Sequence, residues 1–204
     1  DILKEKSKLL VDDLAEIGNV SVNLVGFSTL GTYIQEDFVR LDDGTSAIYQ
    51  KIDRLNPGGW TNPGDGLRHG LISLQKNSAQ LKYVVLLTDG APTTVKIGSY
   101  SRKIKEHEKY ENLVLDYSDI VGKNSKKEWA NIGTGASINY TGTVAKTFIS
   151  GVKRVSVIGF SAKASDTSQG KNLTAAIGSS GVESEYTDAT SQEQLQEVFS
   201  RIKK

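Results

Sequence analysis

The sequence contains no cysteine. Disulfide bonds, thiolate metal sites and cysteine nucleophiles are therefore excluded. The absence argues against a secreted eukaryotic domain, which usually carries a disulfide bond. It fits a cytosolic protein, or an exported protein from an organism that does without disulfides.

Neither sign of charge predominates: the sequence has 25 Lys and Arg residues and 24 Asp and Glu residues, for a net charge of +1. This balance gives no support to nucleic-acid or anionic-membrane binding as the main task. No apolar run approaches the roughly 20 residues of a membrane span, and no signal peptide is recognisable. We expect no nucleic-acid partner and no direct membrane insertion. Because a helical pattern begins at once after Asp1, we also expect the sequence to be a piece of a longer chain.

The 204 residues, with 37% hydrophobic and 24% charged residues, fit one soluble globular domain. Strands and helices are predicted to alternate along the chain, which indicates an α/β fold with a doubly wound, mostly parallel central sheet flanked by helices. The predicted strands are 20–27, 33–41 (edge), 83–87 (central, buried on both faces), 155–160 and 183–188 (edge). The predicted helices are 2–17, 45–55 (capped by Thr45 or Ser46), 67–81, 143–152, 172–177 and 191–202.

Two loops and one insertion are also predicted. Residues 56–66 are dense in Gly, Pro and Asn and predict a loop, as do residues 165–170. Residues 93–139 are polar, rich in Lys and Glu, and predict an insertion within a single domain spanning 1–204. The insertion directly follows the central strand, so we expect it to overhang the carboxyl edge of the sheet.

The apolar run 83–87 is followed directly by Thr88-Asp89-Gly90, so Asp89 lies just after the predicted strand. Ligands bind open α/β sheets at the carboxyl ends of their strands, where this carboxylate is expected. The alternative is that Asp89 only caps the next turn. Thr61 and Asn62, in the Gly-rich loop, would add a hydroxyl and a close backbone for a hard cation, which prefers oxygen ligands.

The sequence resembles the von Willebrand factor A family. The resemblance rests on GGWTNPGDGL at 58–67 and VVLLTDG at 84–90, with VNLVGFS upstream and VSVIGFS downstream. In that family a metal-ion-dependent adhesion site is built from three loops, and the resemblance implies that Thr61 and Asp89 are metal ligands. The third loop carries Asp-x-Ser-x-Ser, which would lie upstream of residue 1 and is absent from this sequence. Partial copies at 113–120 and 166–170 are interpreted as coincidences.

The resemblance further implies a bound Mg²⁺ or Mn²⁺ and an adhesion role, with the metal shell completed by an acidic side chain of a protein ligand. We expect a bacterial cell-surface or pilus adhesin and an extracellular-matrix or other host surface protein as its ligand. Trp60 is an inserted or substituted residue between Gly-Gly and Thr61, where the family more often has Thr directly after Gly-Gly. Its ring either contacts a ligand or covers the loop. The candidate ligand-binding residues are Trp60, Asn62, Tyr100, Tyr110 and Trp129, the last three from the insertion.

Two rival functions remain. One is an intracellular assembly subunit that works beside an ATPase, as in a chelatase. The other is a hydrolase, because Ser28 and Ser161 each follow Gly-Phe at a strand end. Neither has the Gly-x-Ser-x-Gly pattern, and catalysis would need His69 or His107, the only histidines, within reach. We expect a binding module rather than an enzyme.

Overall fold

The computed structural model describes residues 2–56, 58–97, 128–131, 133–161 and 163–189, together with Gln194 and Glu197. The elements alternate as the sequence predicted. In chain order they are α1 (Ile2–Ile17), β1 (Ser21–Phe27), β2 (Gly31–Arg40), α2 (Ser46–Asp53), α3 (Pro63–Lys76), β3 (Tyr83–Thr88), β4 (Thr94–Ile97), β5 (Glu128–Asn131), α4 (Thr134–Phe148), β6 (Arg154–Gly159), α5 (Ala164–Gly178) and β7 (Glu183–Asp188).

A parallel sheet in the order β3-β6-β7 forms the centre of the fold. Gly159 at the end of β6 pairs with Thr88 of β3 on one side and with Asp188 of β7 on the other. The three strands therefore end at one edge of the sheet. The central strand is β6, whose Val155, Val157 and Ile158 are fully buried, rather than β3.

The prediction that β3 is central and buried on both faces is wrong for the described residues. There β3 pairs only with β6, and most of its side chains are partly exposed. β1 pairs antiparallel with β2 in a separate two-stranded sheet. An apolar run indicates that a strand is buried, but it does not indicate which strands pair with it or where in the sheet it lies.

Two helices join the parallel sheet to the β1–β2 pair. On one side, Leu10 of α1 packs with Ile158, while Val11 packs with the cluster formed by Leu41 and α2. Leu14 touches both clusters. α3 contacts β1, β2 and β3 as well as α4. The start of α3, where the candidate site lies, is therefore held against both sheets.

Helix α3 begins at Pro63, within the segment predicted to be a loop, and ends at Lys76 rather than residue 81. Asn62 caps the helix and Pro63 occupies its first turn, where the missing N–H is not needed. The glycines allow close packing rather than a loop. A Cβ on Gly66 would lie 2.8 Å from Phe27 Cδ1, and one on Gly64 would lie 2.4 Å from Tyr140 Cδ1.

Helix α4 begins at Thr134, nine residues earlier than predicted, and ends at Phe148 rather than residue 152. The polar residues of its first turns are buried. The Ser137 hydroxyl donates to the Thr94 carbonyl at 2.7 Å, and the Thr141 hydroxyl donates to the Ser137 carbonyl at 2.9 Å. The two ends of the predicted insertion are therefore part of the main fold, where β4 and β5 pair antiparallel.

Residues 165–170, predicted as a loop, are the first turns of α5, which continues through the predicted helix 172–177 to Gly178. At position 170 a side chain would not fit, because the Tyr186 ring lies 2.3 Å from where a Cβ would be. Thr45 precedes α2 but its side chain makes no capping hydrogen bond. The predicted helix 191–202 lies outside the described residues apart from Gln194 and Glu197. None of the helices in the described part of the chain has the length and apolarity that crossing a membrane requires.

Candidate functional site

Asp89 lies directly after β3, at the carboxyl edge of the parallel sheet, and its side chain is exposed. The turn that follows is closed by Thr88, whose hydroxyl donates to the Gly90 carbonyl at 3.1 Å. In the described part of the chain, no hydrogen bond or ion pair engages the Asp89 carboxylate. The carboxylate is thus available to a ligand approaching this edge.

Thr61 lies in the loop before α3 and is hydrogen-bonded to the segment that follows Asp89. Its N–H donates to the Thr93 hydroxyl at 3.2 Å. Its carbonyl accepts from the N–H groups of Thr93 at 2.9 Å and Thr94 at 3.2 Å. Among the described residues, no partner engages the Thr61 hydroxyl. The structure therefore brings the two predicted metal ligands to one edge and leaves both side chains available there.

The same loop is also fixed to the turn between β1 and β2. The Trp60 N–H donates to the Thr29 hydroxyl at 3.2 Å. The Asn62 side-chain amide donates to the Thr29 carbonyl at 2.9 Å. Since Trp60 and Asn62 flank Thr61, the backbone is held on both sides of the candidate ligand.

The two predicted ligand contacts of this loop differ in exposure. The Trp60 side chain is 49% exposed and lies beside Thr61, as a ligand contact requires. Asn62 is fully buried, and its amide oxygen accepts the Asp65 N–H at 3.0 Å. Both of its polar groups are used within the fold. Its geometry therefore does not support the prediction that its side chain meets a ligand.

The remaining predicted residues are placed less completely. Tyr100, Tyr110 and His107 lie outside the described residues, and only the backbone of Trp129 is described, in β5. The Ser161 hydroxyl donates to Asp166 Oδ2 at 2.6 Å, and His69 Nδ1 lies 2.8 Å from the Asp65 carbonyl. Neither contact is the Ser–His hydrogen bond that a hydrolase needs.

A second cluster of polar side chains lies between α5 and β7. The Thr167 hydroxyl donates to Asp188 Oδ2 at 2.8 Å, and Asp188 Oδ1 is buried without a hydrogen-bond partner in the described structure. Burial raises the pKa of Tyr186, and the charges of Asp188 and Asp166 add to this, while a hydrogen bond with Thr167 opposes it. The region therefore disfavours an additional negative charge at Tyr186.

The donor set suits a hard cation in kind but not in number. A hydroxyl and a carboxylate are oxygen ligands of the type that Mg²⁺ and Mn²⁺ prefer. Within the described ranges, no group of three His, Cys, Asp or Glu residues could hold a metal ion. Thr61 and Asp89 therefore supply oxygen ligands that suit such a cation, but fewer than it needs.

Three residues that organise this edge were not singled out from the sequence: Thr29, Asp65 and Thr93. Each acts through a contact that joins distant parts of the chain. Only Asp65 carried a local signal, because an acidic residue in the first turn of a helix is favoured by the helix dipole. The density of glycines around it hid that helix.

These elements define a class of protein: a doubly wound α/β domain with a parallel sheet flanked by helices. A family model described as von Willebrand factor type A domain matches residues 3–201. The chain belongs to this family, which confirms the resemblance seen in the sequence.

Solved structures extend the comparison. The PilB minor pilin from Streptococcus sanguinis is 44% identical, with a TM-score of 0.80, and the match covers 100% of this chain and 53% of that one. This chain thus spans about half of that protein. The vWF domain of the pilus tip protein Mfa5 from Porphyromonas gingivalis is 15% identical, with a TM-score of 0.65 and coverage of 98% and 86%. The pilus adhesin SpaC from Lactobacillus rhamnosus GG is 19% identical, with a TM-score of 0.62 and coverage of 98% and 27%. These two likenesses concern the fold alone. No curated protein matches the chain.

Proposed function

We propose that this chain is a metal-ion-dependent adhesion module of a bacterial surface or pilus protein. The observation that carries the proposal is the hydrogen bonding of the Thr61 loop to the segment after Asp89. It supports the proposal because it connects the loop of the Thr61 hydroxyl to the segment that follows the Asp89 carboxylate, and neither group has a partner in the described structure. The role is one of binding rather than catalysis.

In this proposal the Thr61 hydroxyl and the Asp89 carboxylate hold Mg²⁺ or Mn²⁺. The Thr61 carbonyl already accepts two N–H groups, so the hydroxyl is the oxygen that Thr61 offers. Other ligands, including the Asp-x-Ser-x-Ser loop that the family implies, come from outside the described residues. When bound, the cation supplies a positive centre with a coordination position open to a partner.

The proposed partner is a protein that presents an Asp or Glu side chain, such as an extracellular-matrix or other host surface protein. An acidic side chain supplies a carboxylate oxygen, which is the type of ligand that Mg²⁺ and Mn²⁺ prefer at the open coordination position. Trp60 stands exposed beside Thr61 and supplies apolar contact area. The kinship with a minor pilin supports a surface or pilus location over an intracellular subunit beside an ATPase.

The direct test compares Thr61→Ala and Asp89→Ala with two matched controls, Thr147→Ala and Asp37→Ala, at exposed positions away from the edge. Isothermal titration with Mn²⁺ and Mg²⁺ is expected to give at least about tenfold weaker binding for the site variants alone, since even the loss of a residue that only orients a metal ligand costs about 10–100-fold. Their melting temperatures should match those of the controls. Unchanged metal affinity in both site variants would refute the proposal.

Trp60→Ala separates the ligand from the metal. Because Trp60 is half exposed and touches the site only as a neighbour, metal affinity and melting temperature should stay at the wild-type level. Affinity for an acidic protein ligand should fall about 30-fold if Trp60 is an interface hot spot worth about 2 kcal/mol. Surface plasmon resonance against a panel of matrix proteins, with and without EDTA, measures this. Full retention of ligand affinity would leave Trp60 with only the role of covering the loop.

A further inference from the structure

We propose that Asp65 is a positioning residue for the Thr61 loop, acting through the turn between β1 and β2. Its link to metal affinity rests on the proposed function, whereas its effect on the loop does not. Asp65 lies in the first turn of α3, and its side chain is 1% exposed. A carboxylate so buried cannot itself reach a ligand at the surface.

The two carboxylate oxygens of Asp65 have separate partners. Oδ1 accepts from Arg68 Nε at 2.7 Å, within the same helix. Oδ2 accepts from the Gly31 N–H at 2.7 Å, at the start of β2. The first contact balances the charge of Asp65. The second fastens the β1–β2 turn to α3 across 34 residues of chain.

The fastened turn carries Thr29, which holds the loop on both sides of Thr61. Thr29 accepts from the Trp60 N–H through its hydroxyl and from the Asn62 amide through its carbonyl. Asn62 in turn accepts the Asp65 N–H. Asp65, the turn and the loop therefore form one closed hydrogen-bonded circuit around Thr61.

The circuit is packed too closely to slide. A Cβ on Gly31 would lie 2.5 Å from the Asp65 carbonyl oxygen, and one on Gly59 would lie 2.6 Å from the Thr29 hydroxyl. Gly59 also has a φ of +80°, which favours glycine. Gly31 closely approaches the α3 backbone and Gly59 closely approaches the Thr29 side chain, so the Gly31 hydrogen bond fixes the position of Thr29 and, through it, that of Thr61.

The test is made in an Arg68→Gln background, which removes the guanidinium that a missing carboxylate would leave unpaired. Position 65 is then Asp, Asn or Ala. Asn keeps an oxygen that can accept the Gly31 N–H, whereas Ala has none. Loop order is read without metal, from amide hydrogen exchange at residues 60–62 and from Trp60 fluorescence anisotropy. The chain has 2 Trp residues, so Trp129→Phe makes Trp60 the only emitter.

In this background, Asp65→Ala is expected to speed exchange at Thr61 about tenfold or more, as expected for the loss of a buried hydrogen bond to a charged group. Asp65→Asn should restore slow exchange and high Trp60 anisotropy. Thr29→Ala, with Asp65 intact, should reproduce the loosened loop. Equal exchange in the Asp, Asn and Ala proteins, or failure of Asn to rescue, would overturn the proposal.

Mn²⁺ titration of the same proteins tests the link to the site. Asp65→Ala should weaken binding at least about tenfold, as the loss of a residue that orients a metal ligand does, and Asp65→Asn should not. Loosening of the loop with unchanged Mn²⁺ affinity would overturn that link. If neither wild type nor any variant binds Mn²⁺, the proposed function fails, while the exchange data still decide whether Asp65 positions the loop.

Discussion

Two glycines of α3 are expected to respond in opposite ways to the same substitution. Gly64 and Gly70 both lie within Pro63–Lys76, and both are helical. A Cβ at Gly64 would lie 2.4 Å from Tyr140 Cδ1 and 2.5 Å from Tyr140 Cε1. A Cβ at Gly70 would meet no atom within 4 Å. The pair therefore separates close packing from helix propensity.

The expected magnitudes follow from these distances. Tyr140 is fully buried in α4, so its ring cannot move aside without disturbing the core. Overpacking of this kind costs about 1–3 kcal/mol, partly offset by about 0.5–1 kcal/mol from replacing a helical glycine with alanine. The net cost is about 0–2.5 kcal/mol, so at about 2–4 °C per kcal/mol Gly64→Ala should lower the melting temperature by up to about 10 °C. Gly70→Ala should raise it by about 1–4 °C, through helix propensity alone.

Calorimetric melting of both variants and of Gly64→Ala/Tyr140→Leu is the assay. The double variant removes the ring that the new methyl group meets. A double-mutant cycle should therefore give a favourable coupling of about 1 kcal/mol or more. A melting temperature for Gly64→Ala equal to or above that of Gly70→Ala would refute the reasoning, because it would mean that the start of α3 does not need the close approach to α4.

Two further predictions concern the insertion and the alkaline limit of stability. Ile97 and Glu128 are directly paired, so Asn-Gly in place of residues 98–127 should close a hairpin and keep the melting temperature. The same replacement should change which partners are bound on a panel of matrix proteins. An unchanged binding profile would count against recognition by the insertion. Because burial raises the pKa of Tyr186, its contribution to stability is full below its ordinary pKa of about 10 and is lost as the pH rises above it. Tyr186→Phe should thus show a shallower fall in melting temperature between about pH 9 and 11, and parallel curves for both proteins would contradict this.

The elements that sequence patterns predicted well are those whose signal is local. Helix α1 has its apolar residues at helical spacing and was predicted with the observed bounds. The starts of α3, α4 and α5 were missed because they lie in segments rich in Gly, Ser and Thr. Ser137 is buried only because its hydroxyl reaches the Thr94 carbonyl of another element. No periodicity within α4 reports that contact.

The candidate site divides in the same way. Thr61 and Asp89 were found because each sits in a recognisable short motif at a predicted strand end or loop. Thr93 was missed because it acts through hydrogen bonds to Thr61, and these bonds join two loops that are separate in the sequence. Thr29 and Asp65 were missed for the same reason. A motif identifies a candidate ligand, but the contacts that hold it in place follow from packing.

The two candidate ligands are attached to parts of the fold with different local stability. Asp89 follows β3, which pairs along its length with β6, where Val157 is fully buried. Thr61 lies in the loop before α3, which is held by hydrogen bonds to Thr29, Thr93 and Thr94. Because local opening costs less free energy than global unfolding, this loop can open and dismantle the site while the sheet stays intact. A cation that binds only the closed loop should therefore slow amide exchange at Thr61 and leave amide exchange at Val157 unchanged. The exchange rate at Thr61 would then measure how fully the metal site is occupied.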